Sequence, residues 1–172
     1  MKIMAIDPGN VESAYCVVKA ETMQPLRFEK LTNEALIADL AFENYRDVDA
    51  FVIERVASYG LAVGRDVFET CEWIGRFIQC IFSTYGKTPQ FIYRKQEKQI
   101  ICGDLTAKDA NIRRALIDKY AKHDLKNGKG TVKNPDFFYG FRADIWAAFA
   151  VAETYNTIER SAGKNEQESR GL

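Results

Sequence analysis

The chain has 172 residues, of which 47% are hydrophobic and 12% aromatic, and its 24 Lys and Arg balance its 24 Asp and Glu. This length predicts one domain with a substantial core, and four cysteines without CxxC spacing argue against a disulfide framework or a zinc site. No apolar run reaches transmembrane length and no extended apolar segment precedes Asp7, so we expect a soluble cytoplasmic protein without a membrane partner.

Residues 1–44 predict an antiparallel meander of three strands followed by a helix. The first strand is the apolar run 3–6, which stops at Asp7 before the turn-forming Pro8 and Gly9. The next elements, in order, are strands over residues 13–19 and 25–30 and a helix over residues 33–44. An isolated Asp beside Pro-Gly is usually a turn residue, but here the same arrangement recurs later in the chain.

The rest of the chain alternates strands and helices. The predicted elements are a strand over 51–54, a helix over 65–85, a strand over 89–93, a helix over 108–120 and a helix over 142–160. The first of these strands ends in Glu54, and Asp144 lies in the first turn of the last helix. Residues 161–172 lack apolar anchors and predict a disordered polar tail, so we expect the folded domain to span residues 1–160.

The helix predicted over residues 65–85 has more apolar residues than one buried stripe requires. Burial on two sides is the natural interpretation, with one side against the core and the other in a dimer interface. We expect Phe77 and Ile81 to belong to that interface.

Three carboxylates thus lie at the ends of core elements that are far apart in sequence, namely Asp7, Glu54 and Asp144. If they converge at one end of a sheet, their mutual repulsion requires cations to neutralise it. Oxygen ligands alone suit Mg²⁺ or Mn²⁺ rather than zinc. A mixed five-stranded α/β sheet flanked by helices, with acids at strand ends, predicts a ribonuclease H-like architecture.

Charge is distributed unevenly along the chain. Residues 1–86 carry a balance of −5, residues 87–142 carry 13 Lys and Arg against 6 Asp and Glu, and residues 143–172 carry −2. A local excess of positive charge is typical of surfaces that contact nucleic-acid phosphates.

Several short motifs follow one another along the chain. They are Ile6–Gly9, Val52–Glu54, Phe91–Tyr93, Gln99–Gly103, Ala107–Lys108 and Arg142–Ala148. In this order they resemble the RuvC family of Holliday junction resolvases, especially its small phage-encoded members, over nearly all of the chain up to about Glu159. The resemblance implies a metal-dependent endonuclease that nicks branched DNA by paired incision, acting as a homodimer in the cytoplasm of a phage host.

The resemblance also implies the roles of the acids. Asp7, Glu54 and Asp144 would bind two Mg²⁺ or Mn²⁺ ions, one to activate a water and one to stabilise the leaving 3′ oxygen. The family has a fourth acid or a histidine one helical turn before the last aspartate, and that position is Phe141 here. Asp136, on the preceding loop, is the candidate substitute.

The basic residues would provide the DNA contacts. Lys98 and Lys108 match positions that are basic in the family, and the expected phosphate contacts are Arg65, Arg94, Lys95, Lys98, Lys108, Arg113 and Arg142. Tyr59 is the candidate aromatic for the branch point, because unstacked bases pack on aromatic rings, although the family position itself holds Ala57.

Three other interpretations fit part of the pattern. A ribonuclease H-like nuclease acting on RNA, or on flaps and forks, would use the same acids. Sugar kinases and actin-like ATPases also begin with a strand ending in Asp-x-Gly, but they need two such domains and an adenosine site, for which 172 residues leave little space. A catalytically inactive junction-binding protein would explain Phe141, although three intact acids argue against it.

Overall fold

A computed structural model describes residues 1–58, 60 and 62–170. Within them the strands are β1 (Lys2–Asp7), β2 (Glu12–Lys19), β3 (Pro25–Thr32), β4 (Ala50–Arg55) and β5 (Gln90–Tyr93). The helices are α1 (Asn33–Ala41), α2 (Arg65–Tyr85), α3 (Arg94–Glu97), α4 (Asp109–Tyr120) and α5 (Ile145–Arg170), and a π-helical turn over Lys98–Cys102 continues α3.

The five strands form one mixed sheet in the order β3-β2-β1-β4-β5. β1, β2 and β3 pair antiparallel, whereas β4 pairs parallel with both β1 and β5. The carboxyl ends of β1, β4 and β5 therefore lie along the same edge of the sheet. This architecture confirms the predicted mixed five-stranded α/β sheet flanked by helices.

The sheet has a hydrophobic core on each face. Ile3, Ala5 and Val52 point to one face and pack with α4 and α5, while the alternate residues Met4 and Ile6 pack with α1 and α2 on the other. Because side chains alternate along a strand, Asp7 continues the Ile3–Ala5 row and Glu54 continues from Val52. Both acids therefore belong to the face that α5 covers.

The orientation of α2 corrects one expectation. Phe77 and Ile81 are fully buried in the core against β1 and β4, so they do not lie on an exposed interface. The opposite side of the helix exposes Phe68 and Phe82, which are 61% and 55% exposed. Periodicity identified two apolar sides but could not tell which one faced the sheet.

Two segments differ from the sequence-based expectation. α3 and the π-helical turn occupy residues 94–102, for which no helix was predicted, and β5 passes into them without a loop. The last helix continues to Arg170, into the segment predicted to be a disordered tail, because its Gln, Glu, Lys and Arg residues favour helix. Among the described residues, no helix has the length and apolar content needed to span a membrane.

Candidate active site

The turn that follows Asp7 is fixed by a buried hydrogen-bond network. The Gly9 amide donates to Ser13 Oγ (3.1 Å), Ser13 Oγ donates to Asn33 Oδ1 (2.5 Å), and Asn33 Nδ2 donates to the Gly9 carbonyl (2.9 Å). A Cβ atom at Gly9 would lie 2.3 Å from the carbonyl oxygen of Glu12, so the close approach requires glycine. The network holds the end of β1, and with it Asp7, in a defined position.

Asp7 lies beside Glu54 at the shared edge of β1 and β4. Burial, followed by the charge of Glu54 and a hydrogen bond between the two carboxyl groups, raises the pKa of Asp7 well above its ordinary value. Asp144 and Glu97 add smaller electrostatic contributions in the same direction. A carboxylate beside another carboxylate ionises less readily unless a cation neutralises the pair.

Asp144 enters the site from the start of α5. Its carbonyl accepts the Ala148 amide (3.0 Å), which makes it the last residue before the helix. The preceding residue, Ala143, has φ of 42°, a left-handed conformation that alanine rarely adopts. The surrounding fold therefore imposes the backbone geometry that presents Asp144.

Lys30 on β3 neutralises part of this acidic site. Its Nζ lies 2.8 Å from Asp144 Oδ2 and 3.2 Å from Glu12 Oε2, and these two hydrogen bonds raise the pKa of Lys30. The Asp144 side chain nevertheless remains 51% exposed. Sequence analysis missed this ion pair because it joins an edge strand to a helix far along the chain.

Glu97 is a fourth acid of the site, and sequence analysis did not identify it. Its side chain is fully buried, Arg94 donates to Oε2, and Oε1 has no hydrogen-bond partner among the described residues. Burial and then the charge of Glu54 raise the pKa of Glu97 to about 8, against the opposing effect of Arg94. We call Asp7, Glu54, Glu97 and Asp144 the acidic cluster.

Sheet register explains why Glu97 reaches the cluster. β5 pairs with β4 so that Ile92 lies opposite Glu54, and the chain then turns directly into α3. Glu97 follows the end of β5 by one helical turn. An acid within one turn of the third parallel strand was the available signal, but the basic residues Arg94, Lys95 and Lys98 around it indicated DNA contact instead.

Phe141 and Asp136 do not supply the missing acid. Phe141 is buried in an aromatic cluster, with its ring centroid 4.7 Å from that of Phe28 and 5.2 Å from that of Phe138. Asp136 accepts backbone amides from residues 122–124 and 137 at 2.7–3.1 Å. Burial opposes ionisation of Asp136, but these amides hold its pKa well below its ordinary value, which assigns it to loop structure.

Replacing Asp136 with alanine is expected to lower the free energy of unfolding by about 3 kcal/mol, since several buried amides lose their acceptor. Metal affinity of the folded variant should not change. Chemical denaturation measures the first effect and calorimetric titration the second, with Asp118→Ala, which removes an exposed acid, as control. An Asp136→Ala protein of normal stability but weakened metal binding would make Asp136 a ligand after all.

The chemistry of the acidic cluster fits a divalent cation. All potential ligand atoms are carboxylate oxygens, the charge of Glu54 acts on Asp7, and one buried oxygen lacks a partner among the described residues. As placed, no three His, Cys, Asp or Glu side chains within residues 1–58, 60 and 62–170 are close enough together to hold a metal ion. Neutralisation by a cation is what would allow these carboxylates to approach one another.

The basic residues predicted to contact DNA fall into two groups near the site. Lys95 and Lys98 line a pocket of about 310 Å³ with Leu105. Arg113 stacks over Trp146, at 4.5 Å from its ring, and lines a pocket of about 90 Å³ beside Asp144.

The other predicted DNA contacts differ in exposure. Lys108 and Arg142 are exposed, and Arg65 is exposed but paired with Glu69 at 2.5 Å. Arg94 is mostly buried and paired with Glu97 and Asp109, so it balances the acidic cluster instead of presenting a free charge to DNA. Tyr59 lies outside the described residues.

Comparisons with known proteins identify the fold. No protein-family model matches the sequence, and no curated protein does. The structure of RuvC from Thermus thermophilus is similar, with 16% sequence identity, a TM-score of 0.71 and coverage of 94% of this chain and 97% of that chain. T. thermophilus RuvC in complex with a Holliday junction substrate matches with 15% identity, a TM-score of 0.68 and coverage of 94% and 96%. The predicted resemblance is confirmed at the level of structure: the chain has the ribonuclease H-like fold of RuvC.

Proposed function

We propose that this protein is a metal-dependent endonuclease that nicks branched DNA and resolves Holliday junctions by paired incision. The observation that carries this proposal is the convergence of Asp7, Glu54 and Asp144 on one face of a RuvC-like sheet. The similar structure of T. thermophilus RuvC with a Holliday junction supports the choice of substrate.

Asp7, Glu54 and Asp144 would hold the divalent ions, Mg²⁺ or Mn²⁺. Such ions activate water and stabilise developing charge in phosphodiester hydrolysis. The chain itself provides rigid positioning: the Gly9 network fixes Asp7, and the strained turn at Ala143 fixes Asp144. Lys30 limits repulsion within the cluster by neutralising Asp144.

The cations around the site would receive the DNA backbone. Arg113 is held in place by Trp146 and lines the pocket that also contains Asp144, so a phosphate bound there would lie next to the acids. Lys95, Lys98 and Lys108 continue this positive surface along α3, the π-helical turn and the start of α4. Contacts to phosphate supply affinity with little sequence information.

Affinity for a four-way junction should fall steeply with salt concentration, roughly as the number of phosphates that the protein neutralises. Lys98→Ala and Lys108→Ala should each weaken binding and reduce the slope of log K against log salt by about one unit. Fluorescence anisotropy at several salt concentrations measures both effects. Lys19→Ala is the control because Lys19 is exposed at the end of β2 opposite to the acidic cluster. Equal losses of affinity in the three variants, without a change of the salt slope, would place the DNA surface elsewhere.

A homodimer would supply two symmetric active sites for the two strands of a junction. The exposed side of α2 supports this arrangement, because Phe68, Cys71, Gly75 and Phe82 follow one another at spacings of three, four and seven residues along one stripe. Gly75 has open space beside it, which permits close approach of a second helix.

A panel of substrates tests the proposed function. The wild-type protein with Mg²⁺ should cut a four-way junction faster than a flap, a linear duplex or an RNA–DNA hybrid of the same sequence. Preference for the hybrid would identify a ribonuclease instead, and equal cutting of flap and junction would indicate a general branched-DNA nuclease. Tight junction binding without cleavage in Mg²⁺ or Mn²⁺ would support an inactive binding protein.

A further inference from the structure

Glu97 has a buried carboxylate of which only one oxygen accepts a hydrogen bond within the described residues. One oxygen accepts a hydrogen bond from Arg94, while Oε1 is enclosed and has no partner among the described residues. A buried carboxylate oxygen is costly unless a donor or a cation binds it. Glu97 therefore has one buried carboxylate oxygen that no described residue stabilises.

The surroundings of Glu97 place its side chain near the other acids. The strand before it pairs with β4, and both α3 and the π-helical turn contact α5, which begins immediately after Asp144. Electrostatic interactions link Glu97 with both Glu54 and Asp7. π-helical turns occur frequently at functional sites, and this one starts at the residue after Glu97.

Phe141 cannot act as the fourth metal ligand that the resemblance implies. It occupies the position where the resemblance implies a fourth ligand, and its ring is packed into the aromatic cluster beside α5. Asp136 is committed to backbone amides. Among the four acids that interact electrostatically at this edge of the sheet, Glu97 alone is fully buried with an oxygen that has no partner within the part of the chain that the structure describes.

We propose that Glu97 is the fourth carboxylate ligand of the metal site, binding a divalent cation together with Asp7 and Glu54. Arg94 is then a positioning residue that holds the other oxygen of Glu97 and is itself anchored by Asp109. This inference rests on the proposed metal-dependent function, but it concerns a residue outside the motif positions that suggested that function.

Mn²⁺ binding to the full chain without DNA tests the proposal. Isothermal titration calorimetry should show that Glu97→Gln binds Mn²⁺ at least about tenfold more weakly than wild type, the range expected for loss of a ligand or its close support. The metal-induced rise in unfolding temperature should shrink accordingly. In the absence of metal, Glu97→Gln should unfold at or above the wild-type temperature, because the amide oxygen still accepts from Arg94 and repulsion with Glu54 is removed.

Asp118→Asn is the matched control. It removes an exposed carboxylate that pairs with Arg114 rather than with Arg94, so folding should be unaffected and Mn²⁺ affinity should match wild type. If Glu97→Gln fails to fold, Glu97→Asp decides the question, because a ligand shortened by one methylene should bind Mn²⁺ more weakly.

Two outcomes overturn the proposal in distinguishable ways. In the first, a folded Glu97→Gln or Glu97→Asp protein binds Mn²⁺ as tightly as wild type and unfolds at a lower temperature without metal. Glu97 would then stabilise the fold through Arg94 and would not bind the metal. The site formed by Asp7, Glu54 and Asp144 would then stand without it. Absence of Mn²⁺ binding by the wild-type protein would instead contradict the proposed metal site itself.

Discussion

Asp7→Asn, Glu54→Gln and Asp144→Asn should each reduce the rate of junction cleavage by about a hundredfold to a thousandfold, the loss seen when a preorganised stabilising group is removed from an active site. Each substitution keeps the shape of the side chain and removes the negative charge that would hold a cation. Junction affinity should remain largely intact, because it arises from Lys and Arg contacts with phosphate. Single-turnover cleavage and anisotropy binding, measured on the same preparations, separate the two effects.

Thermal unfolding provides the internal control for these variants. Without metal, Asp7→Asn should be at least as stable as wild type, because the substitution relieves repulsion within the acidic cluster. A variant that loses cleavage by misfolding would unfold at a lower temperature. A variant that cleaves at nearly the wild-type rate would remove its residue from the site.

Phe68→Glu combined with Phe82→Glu should convert the proposed dimer into monomers at micromolar concentration, because like charges would face each other across the two-fold axis. Loss of a buried aromatic anchor costs about 2 kcal/mol or more, which is roughly 30-fold in the dissociation constant for each side chain. Sedimentation velocity measures the association state. A plasmid with an extruded four-way junction reports the consequence, since paired incision yields linear DNA and unpaired incision yields nicked circles.

Val132→Lys is the control for this pair, because Val132 is 82% exposed on a loop away from α2 and its replacement should leave the dimer intact. Phe77 and Ile81 are unsuitable test positions, since charges there would disrupt the core under the sheet. A wild-type protein that is monomeric both free and on DNA would end the dimer proposal.

Most of the fold was predictable because its determinants are local. Apolar runs, alternation and turn residues defined β1 to β5, and helical periodicity defined α2 with its observed bounds Arg65–Tyr85. That Asp7 and Glu54 end strands was also readable from the sequence, but their common face depends on the parallel pairing of β1 with β4, which the structure provides.

The features that sequence analysis missed depend on tertiary packing. Glu97 lies among basic residues in sequence, and only the register between β4 and β5 brings it to the other acids. Lys30 meets Asp144 because β3 forms the edge of the sheet beside the start of α5. The orientation of Phe77 and Ile81 required knowledge of which side of α2 meets the sheet.

The acidic cluster is proposed to resolve a four-way junction in a metal-dependent reaction. The most direct measurement labels each of the four strands of a synthetic junction in turn and maps the incisions made by wild type and by Asp7→Asn. We predict two symmetrically placed incisions in opposite strands, dependent on Mg²⁺ or Mn²⁺, abolished by EDTA and absent from Asp7→Asn. An intact junction after incubation of folded wild-type protein with either metal, or equal cutting by Asp7→Asn, would contradict the account.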